Sequence, residues 1–477
     1  TIPEIIYSFY ALNKIGAIPN MVDPRTSIEG IKEYCYETKA KCFVTLSALS
    51  EKMKSSCQNT DVLRMIVIDP ANSLKQTNDK DYYSHIGDFL LEWNKFISLR
   101  TNGQQKINKC CKNECCVIVH TGGTTGIAKS VALTNDNLNS AAHLAIHSPL
   151  RLKRGDSFLN LMPPFISYGV VIGLHTALIE GWISIIVPQF ELSQFDSLIL
   201  QYRPNGIMGV PAYLEVLMNS SKVVNENLSF IKAVLVGGDN ISSEFEQQIN
   251  HFFSLHGCDA KLSKGYSMTE ASASGTLSYD GINKYGSVGI PMCKTVISAF
   301  DYNTGEELPS GESGELCLHT PTIMAGYYNN TEETNRVLKY HRDGKRWLHS
   351  GDIGYVDKDG FVFVEGRIKR VIIRHDGFKV FPAQIESVLK KSDEIEFCCI
   401  IGEKDKSHIQ GQNPVAFITK KQGCHLSNDK LLEELNALCK EWLPEYEQPD
   451  RIVIIDSMPL TNIGKIDYKK LEHIINI

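Results

Sequence analysis

Apolar residues Ile5, Ile6, Phe9, Leu12 and Ile15 recur at helical spacing from the first turn of the chain, which predicts an amphipathic helix. Short apolar runs then alternate with helical stretches, and Cys42-Phe43-Val44-Thr45 and Met65-Ile66-Val67-Ile68-Asp69 both read as strands. Residues 1 to about 150 therefore predict an α/β arrangement. Residues 74–114 are polar, carry several lysines and predict a surface connection. The alternation continues over 159–236 through Ile183-Ser184-Ile185-Ile186-Val187 and Ala233-Val234-Leu235-Val236. That last run meets Gly237-Gly238-Asp239, glycines at a strand end, where α/β sheets hold ligands. Over 286–365 the pattern turns β-rich, punctuated by Asn303-Thr304-Gly305, Pro309-Ser310-Gly311 and Asp357-Lys358-Asp359-Gly360. A compact tail follows, with strand runs, a helix over 429–443 and a final loop and helix. No internal repeat or low-complexity tract interrupts it.

Cys115-Cys116-Val117-Ile118-Val119-His120 and Ser130-Val131-Ala132-Leu133-Thr134 read as two strands around Thr121-Gly122-Gly123-Thr124-Thr125-Gly126-Ile127-Ala128-Lys129. Glycines free backbone amides to approach an anion, hydroxyls add donors, and lysine adds charge, so this hairpin tip suits phosphate. It misses the pattern G-x-x-x-x-G-K-[ST] by Ala128. In that motif a helix opens at the lysine, whereas here helical spacing begins only at Leu138, Ala141, Ala142 and Leu144, with cap candidates at 134–137.

At 477 residues the chain predicts two or three domains. A net charge of −6 creates no bulk field for polyanions and argues against a nucleic-acid binder. The 14 cysteines lack C-x-x-C spacing in their adjacent pairs, and Cys115-Cys116 and Cys398-Cys399 lie in apolar runs. Buried structural thiols in a reducing cytoplasm are the expectation. The most apolar region, 158–188, is broken by Pro163, Pro164, His175 and Glu180, so no membrane span is predicted. No signal peptide is read at Thr1, and the helical pattern already under way there predicts a missing N-terminal start.

Four more motifs follow the hairpin. Gly265-Tyr266-Ser267-Met268-Thr269-Glu270 combines an aromatic for a base, hydroxyls for phosphate and a hard carboxylate for magnesium. Ser350-Gly351-Asp352-Ile353-Gly354-Tyr355 predicts an acid in a tight turn, able to accept from a ribose diol. Gly366-Arg367-Ile368-Lys369-Arg370 offers an arginine for phosphate or ribose beside a hinge. Pro459-Leu460-Thr461-Asn462-Ile463-Gly464-Lys465-Ile466 closes the set with a loop lysine. Singly, Glu270 reads as a helix-start acid, Asp352 as a turn residue, Arg367 and Lys369 as a solvated strand edge, and Lys465 as a solvated lysine.

Together and in this order, the motifs resemble the AMP-forming adenylating superfamily of acyl-CoA synthetases, adenylation domains and luciferases, nearest in pattern to acyl-CoA synthetases. Gly209-Val210-Pro211, Gly286-Ser287-Val288-Gly289-Ile290-Pro291, Gly314-Glu315-Leu316 and Gly326-Tyr327-Tyr328 are secondary marks of the same likeness. The resemblance implies an α/β protein. Residues 1–367 would form a large domain of α/β sheet subdomains plus a β-rich subdomain, and 368–477 a small mobile α+β lid domain hinged near Lys369. It further implies that Thr121, Gly122, Gly123, Thr124, Thr125, Gly126 and Lys129 embrace the β- and γ-phosphates of ATP. Thr269 and Glu270 would meet the α-phosphate and Mg²⁺; Gly237, Gly238, Asp239, Gly265, Tyr266 and Ser267 would surround the nucleotide. Asp352 would bind the ribose and Arg367 ribose or phosphate. Lys465 would bridge the substrate carboxylate and the α-phosphate, where a cation stabilises a crowded anionic transition state. The lid would then rotate, withdrawing Lys465 and presenting Gly377 and Phe378 to coenzyme A.

Several positions depart from that pattern. Gly122 replaces a serine, Ala128 a proline and Ser130 a glycine, from which slower adenylation is expected. Arg374-His375-Asp376-Gly377 is one residue longer than usual. Ile166 stands where amino-acid-activating relatives carry aspartate, so an α-ammonium would lack a partner. A fatty or aryl acid is expected, with Phe165, Ile166, Tyr168 and Gly209 around its pocket or in the core. No carrier motif follows Lys465, which favours free coenzyme A. A separate carrier protein is the alternative acceptor, and a nucleotide-binding homologue with weak or no ligase activity is the alternative class.

Overall fold

The computed structural model describes residues 1–70, 89–99, 113–121, 129–238, 241–302, 304–374, 379–380, 382–406, 411–443, 445–461 and 466–475. The chain divides into two compact units, Thr1–Ile297 with Leu318–His349, and Ser298–Cys317 with Ser350–Ile477.

The first unit opens with the predicted helix, Pro3–Ile15, and then strand β1 (Asn20–Met21) and the helix Ile28–Thr38, capped by Ser27. Strands β2 (Cys42–Leu46), β3 (Arg64–Ile68) and β4 (Leu90–Glu92) form a parallel sheet. β4 and the helix Trp93–Ser98 fall where a plain polar connection was expected. A strand this short lacks a periodic signature, and only its pairing with β3 defines it.

Strands β5 (Cys115–Thr121) and β6 (Lys129–Thr134) form the predicted antiparallel hairpin, with β1 parallel to β5 on its outer side. Thr134 caps the next helix, Asn135–Ile146, in a reciprocal capping box with Asn137, so the helix does begin after the second strand.

A five-stranded parallel sheet follows: β7 (Ser157–Asn160), β8 (Ile183–Ile186), β9 (Gly206–Gly209), β10 (Ala233–Val236) and β11 (Leu262–Lys264), in the order β11-β10-β9-β7-β8. Both of its faces are covered, which is why its strands read as unbroken apolar runs. Leu159, Ile207, Val234, Val236 and Leu262 pack with helix residues Phe195, Leu214 and Phe253 in one core cluster. Phe158, Met208 and Leu235 pack in another with Leu144 and Trp182.

In the second unit, Ile395–Lys404 pairs antiparallel with Gln412–Lys420, which pairs parallel with Arg451–Ile454. Alternation sends Cys398 and Ile400 into one core with the helices Pro382–Leu389 and Asn428–Trp442. It sends Cys399 and Ile401 into a second core with Leu471 of the helix Tyr468–Ile475. The adjacent pair is therefore buried on both faces of one sheet, as expected of structural thiols. Every described cysteine is a free thiol. Among the described residues no helix is long and apolar enough to cross a membrane.

Candidate active site

The hairpin register sets Val119 opposite Val131, His120 opposite Ser130 and Thr121 opposite Lys129. Thr121 and Lys129 thus face each other across the base of the loop. Gly122, Gly123, Thr124, Thr125, Gly126 and Ala128 lie outside the described residues. Lys129 Nζ is 2.6 Å from Glu333 Oε2 and 4.7 Å from the centre of the Tyr327 ring. The lysine holds the Glu333 carboxyl below its ordinary range.

Ser130, a departure from the pattern that the motifs resemble, is 2% exposed. Its hydroxyl donates to Glu37 Oε2 at 2.5 Å and lies 3.2 Å from His120 Nδ1. His120 Nε2 lies 2.6 Å from Asn20 Oδ1, and its ring stacks on Tyr34 at 3.7 Å and 21°. Strand β1 and the helix Ile28–Thr38 supply these partners, tying the stem of the loop to the start of the chain. Glu37, His120 and Asn20 carried no signal as site-supporting residues, because their partners are about 90 to 100 positions away in sequence.

Burial holds the His120 imidazole down at about 4, and also that of His175, which lies 3.1 Å from both Tyr10 Oη and Asn139 Oδ1. Both sit below the free imidazole value of about 6.5, so between those limits the unfolded chain binds protons that the native chain refuses. The stability from each is complete above pH about 6.5 and is lost as the pH falls towards 4. Denaturant titrations from pH 7 to pH 4 are expected to show falling stability. His120→Gln should reduce that slope by up to about one proton, and an unchanged slope would show that His120 is not held neutral.

The second motif follows β11 at the carboxyl edge of the parallel sheet. Gly265 N donates to Val236 O at 3.1 Å, and Gly237 N to Gly209 O at 3.3 Å, so the ends of β9, β10 and β11 are stitched together. Gly238 has φ +83°, a left-handed turn that favours glycine as the chain leaves β10. Asp239 lies outside the described residues. Tyr266 N donates to Thr276 Oγ1 at 3.0 Å, and Ser267 Oγ to Met268 O at 3.4 Å. Thr269–Ala271 forms a single 3₁₀ turn. Ser167 Oγ donates to Thr269 Oγ1 at 3.2 Å. Glu270 is 7% exposed, and its Oε1 accepts from Tyr327 Oη at 2.8 Å. It is not a surface acid. Behind the segment, Lys264 Nζ lies 2.5 Å from Glu246 Oε2, and Asn283 Nδ2 donates to Glu246 Oε1 at 2.6 Å.

The Phe165 ring faces the Arg25 guanidinium at 5.5 Å. Ile166 and Tyr168 pack against the cluster containing Phe158, Met208 and Leu235, and Tyr168 Oη donates to Leu235 O at 3.4 Å. Tyr168 opens a π-helix, Tyr168–Thr176, a form frequent at functional sites. Gly209 ends β9 beside Tyr213.

In the second unit, Asp352 and Arg367 stand directly opposite each other in an antiparallel strand pair, with Arg367 Nε 2.8 Å from Asp352 Oδ1. Asp352 is thus in the strand Arg346–Val356 and not in the predicted turn. The flanking glycines mislead because one of them serves close packing: a Cβ on Gly354 would lie 2.0 Å from Phe363 O. Lys369 falls in the 3₁₀ turn Ile368–Arg370. Arg370, to which sequence reasoning gave no role, reaches Glu386 at 2.6 Å, Ile400 O at 3.2 Å and Tyr468 Oη at 3.2 Å. Gly377, Phe378 and Lys465 lie outside the described residues.

The probable 4-coumarate–CoA ligase 1 of Dictyostelium discoideum is 28% identical over 475 residues, covering 99% of this chain and 84% of that protein. The long-chain-fatty-acid–CoA ligase of Bacillus subtilis (strain 168) is 28% identical over 482 residues, covering 98% and 83%. The crystal structure of ATP-bound MatB from Rhodopseudomonas palustris shares the fold with a TM-score of 0.83 at 19% identity, over 99% of this chain and 86% of that one. The family described as AMP-binding enzyme matches residues 1–328, and its C-terminal domain matches residues 384–465. The chain belongs to the family of AMP-binding enzymes.

Proposed function

We propose that the protein activates a carboxylic acid with ATP, forming an acyl-adenylate and pyrophosphate, and then transfers the acyl group to coenzyme A with release of AMP. The observation that carries this reading is that Lys129 and Glu270 both contact Tyr327, the lysine over its ring and the carboxylate at its hydroxyl, a cation suited to phosphate with a carboxylate suited to its counter-ion. Glu270 and the adjacent Thr269 hydroxyl offer hard oxygen donors, and Mg²⁺ held there would neutralise charge on the triphosphate.

In this reading the 121–129 loop and Lys129 hold the β- and γ-phosphates, and Thr269 orients the α-phosphate. Gly237, Gly238, Asp239, Gly265, Tyr266 and Ser267 border the nucleotide. Asp352 accepts from the ribose hydroxyls, and its ion pair with Arg367 fixes the direction of the carboxylate. Lys465 neutralises the approach of the substrate carboxylate to the α-phosphate. Residues 368–477 form the mobile lid, pivoting near Lys369, with Gly377 and Phe378 on the coenzyme A side. We place the enzyme in the cytoplasm, consistent with its free thiols.

The acid is an uncharged aryl or fatty acid. Ile166 lies against an apolar cluster, where an α-ammonium would meet no compensating charge. Tyr168 packs against the same cluster, and Phe165 and Gly209 complete the pocket in this reading. Pyrophosphate exchange is expected with aryl and fatty acids and not with α-amino acids. ATP binding without exchange for any acid overturns the reading. AMP release that requires a carrier protein and ignores coenzyme A overturns the choice of acceptor.

A further inference from the structure

We propose that Tyr327 is a positioning residue for adenylation, its hydroxyl fixing Glu270 and its ring fixing Lys129 so that the metal-side carboxylate and the phosphate-side cation keep one spacing. The inference rests on the proposed function and assigns a role to a residue outside the motif positions given one above.

The backbone brings Tyr327 there. Gly326–Tyr327 is a two-residue strand antiparallel to β6, with Tyr327 opposite Val131 and Gly326 opposite Ala132. Lys129 lies two residues from Val131 and therefore on the same face of β6, within diagonal reach of a large ring. The segment is tied on both sides. Met324 N donates to Glu270 O at 2.8 Å, while Ala325 N donates to Ala132 O at 3.0 Å and Tyr328 N to Ser130 O at 2.7 Å. It thus spans from the turn carrying Glu270 to the strand carrying Lys129.

The side chain completes that span. Tyr327 is 7% exposed, and a buried phenol needs a partner, which Glu270 Oε1 supplies at 2.8 Å. One carboxylate oxygen is thereby engaged and the rotamer of Glu270 set. On the other side, Lys129 is held between the ring face and Glu333. Tyr327 N also donates to Thr334 Oγ1 at 2.8 Å, which anchors the helix Thr331–Val337 that carries Glu333.

Two substitutions separate the two contacts. Tyr327→Phe keeps the ring and removes the hydroxyl. The magnesium concentration giving half-maximal ATP binding, measured by calorimetry without any acid, should rise about tenfold, as loss of an outer-shell partner to a metal ligand does. In pyrophosphate exchange the KM for the acid should stay as in the wild type. Tyr327→Leu removes both contacts and should add a rise in the KM for ATP. Thermal melting identifies variants that fail to fold, and Tyr327→Phe preserves the buried volume. Wild-type magnesium dependence in Tyr327→Phe overturns the proposal, as does ATP binding by the wild type that is independent of magnesium. Magnesium-dependent binding that responds to Tyr327→Phe, combined with no exchange for any acid, sustains Tyr327 as a positioning residue and overturns the proposed acid activation instead.

Discussion

Lys465→Ala is expected to abolish pyrophosphate exchange, lowering its rate by at least about 10²–10³-fold, the range found when one stabiliser of developing charge is removed. The reason is electrostatic. A carboxylate approaching an α-phosphate brings two anions together, and the barrier depends on the cation between them. The same variant should retain most of its thioester formation when a preformed acyl-adenylate and coenzyme A are supplied, because no anion then attacks phosphorus. Equal loss in both half-reactions would contradict a lysine confined to the first. Lys465 lies at the end of the matched C-terminal domain, so its role rests on the motif and this chemistry.

The second large effect is expected in stability. Lys264 and Glu246 are 3% and 0% exposed and lie 2.5 Å apart, with Asn283 completing the shell of the carboxylate. Lys264→Met strands a buried carboxylate and should cost about 3–5 kcal/mol in chemical denaturation, whereas the double variant Lys264→Met/Glu246→Leu should recover most of that loss. A single-variant cost below about 1 kcal/mol would mean that water reaches the pair. Because Lys264 ends β11 immediately before Gly265 and Tyr266, the single variant should also weaken ATP binding through the displaced segment.

What the residues disclosed in advance divides by distance along the chain. The hairpin β5–β6, the delayed helix with its Thr134 cap and the parallel strands follow from local periodicity and capping chemistry, which a single sequence displays. The buried setting of Glu270, the Lys129–Glu333 pair and the Ser130–Glu37 bond join residues 57, 204 and 93 positions apart, and no local pattern encodes them. Asp352 was misplaced for a different reason. Glycine marks both turns and close strand contacts, and only the approach of Phe363 O to Gly354 decides between them. The π-helix Tyr168–Thr176 was equally hidden, since an apolar run carries the same composition in any buried helix.

The Ser130 contacts bear on how the loop can be redesigned or diverge. A glycine at 130 would match the family pattern, yet it would leave the Glu37 carboxylate and the His120 imidazole without the hydroxyl between them. Residues 20, 37, 120 and 130 are therefore joined by one chain of contacts, and substitutions among them should be non-additive in stability. A change at 130 alone is expected to destabilise the stem of the loop, and a double-mutant cycle with position 37 should read the coupling.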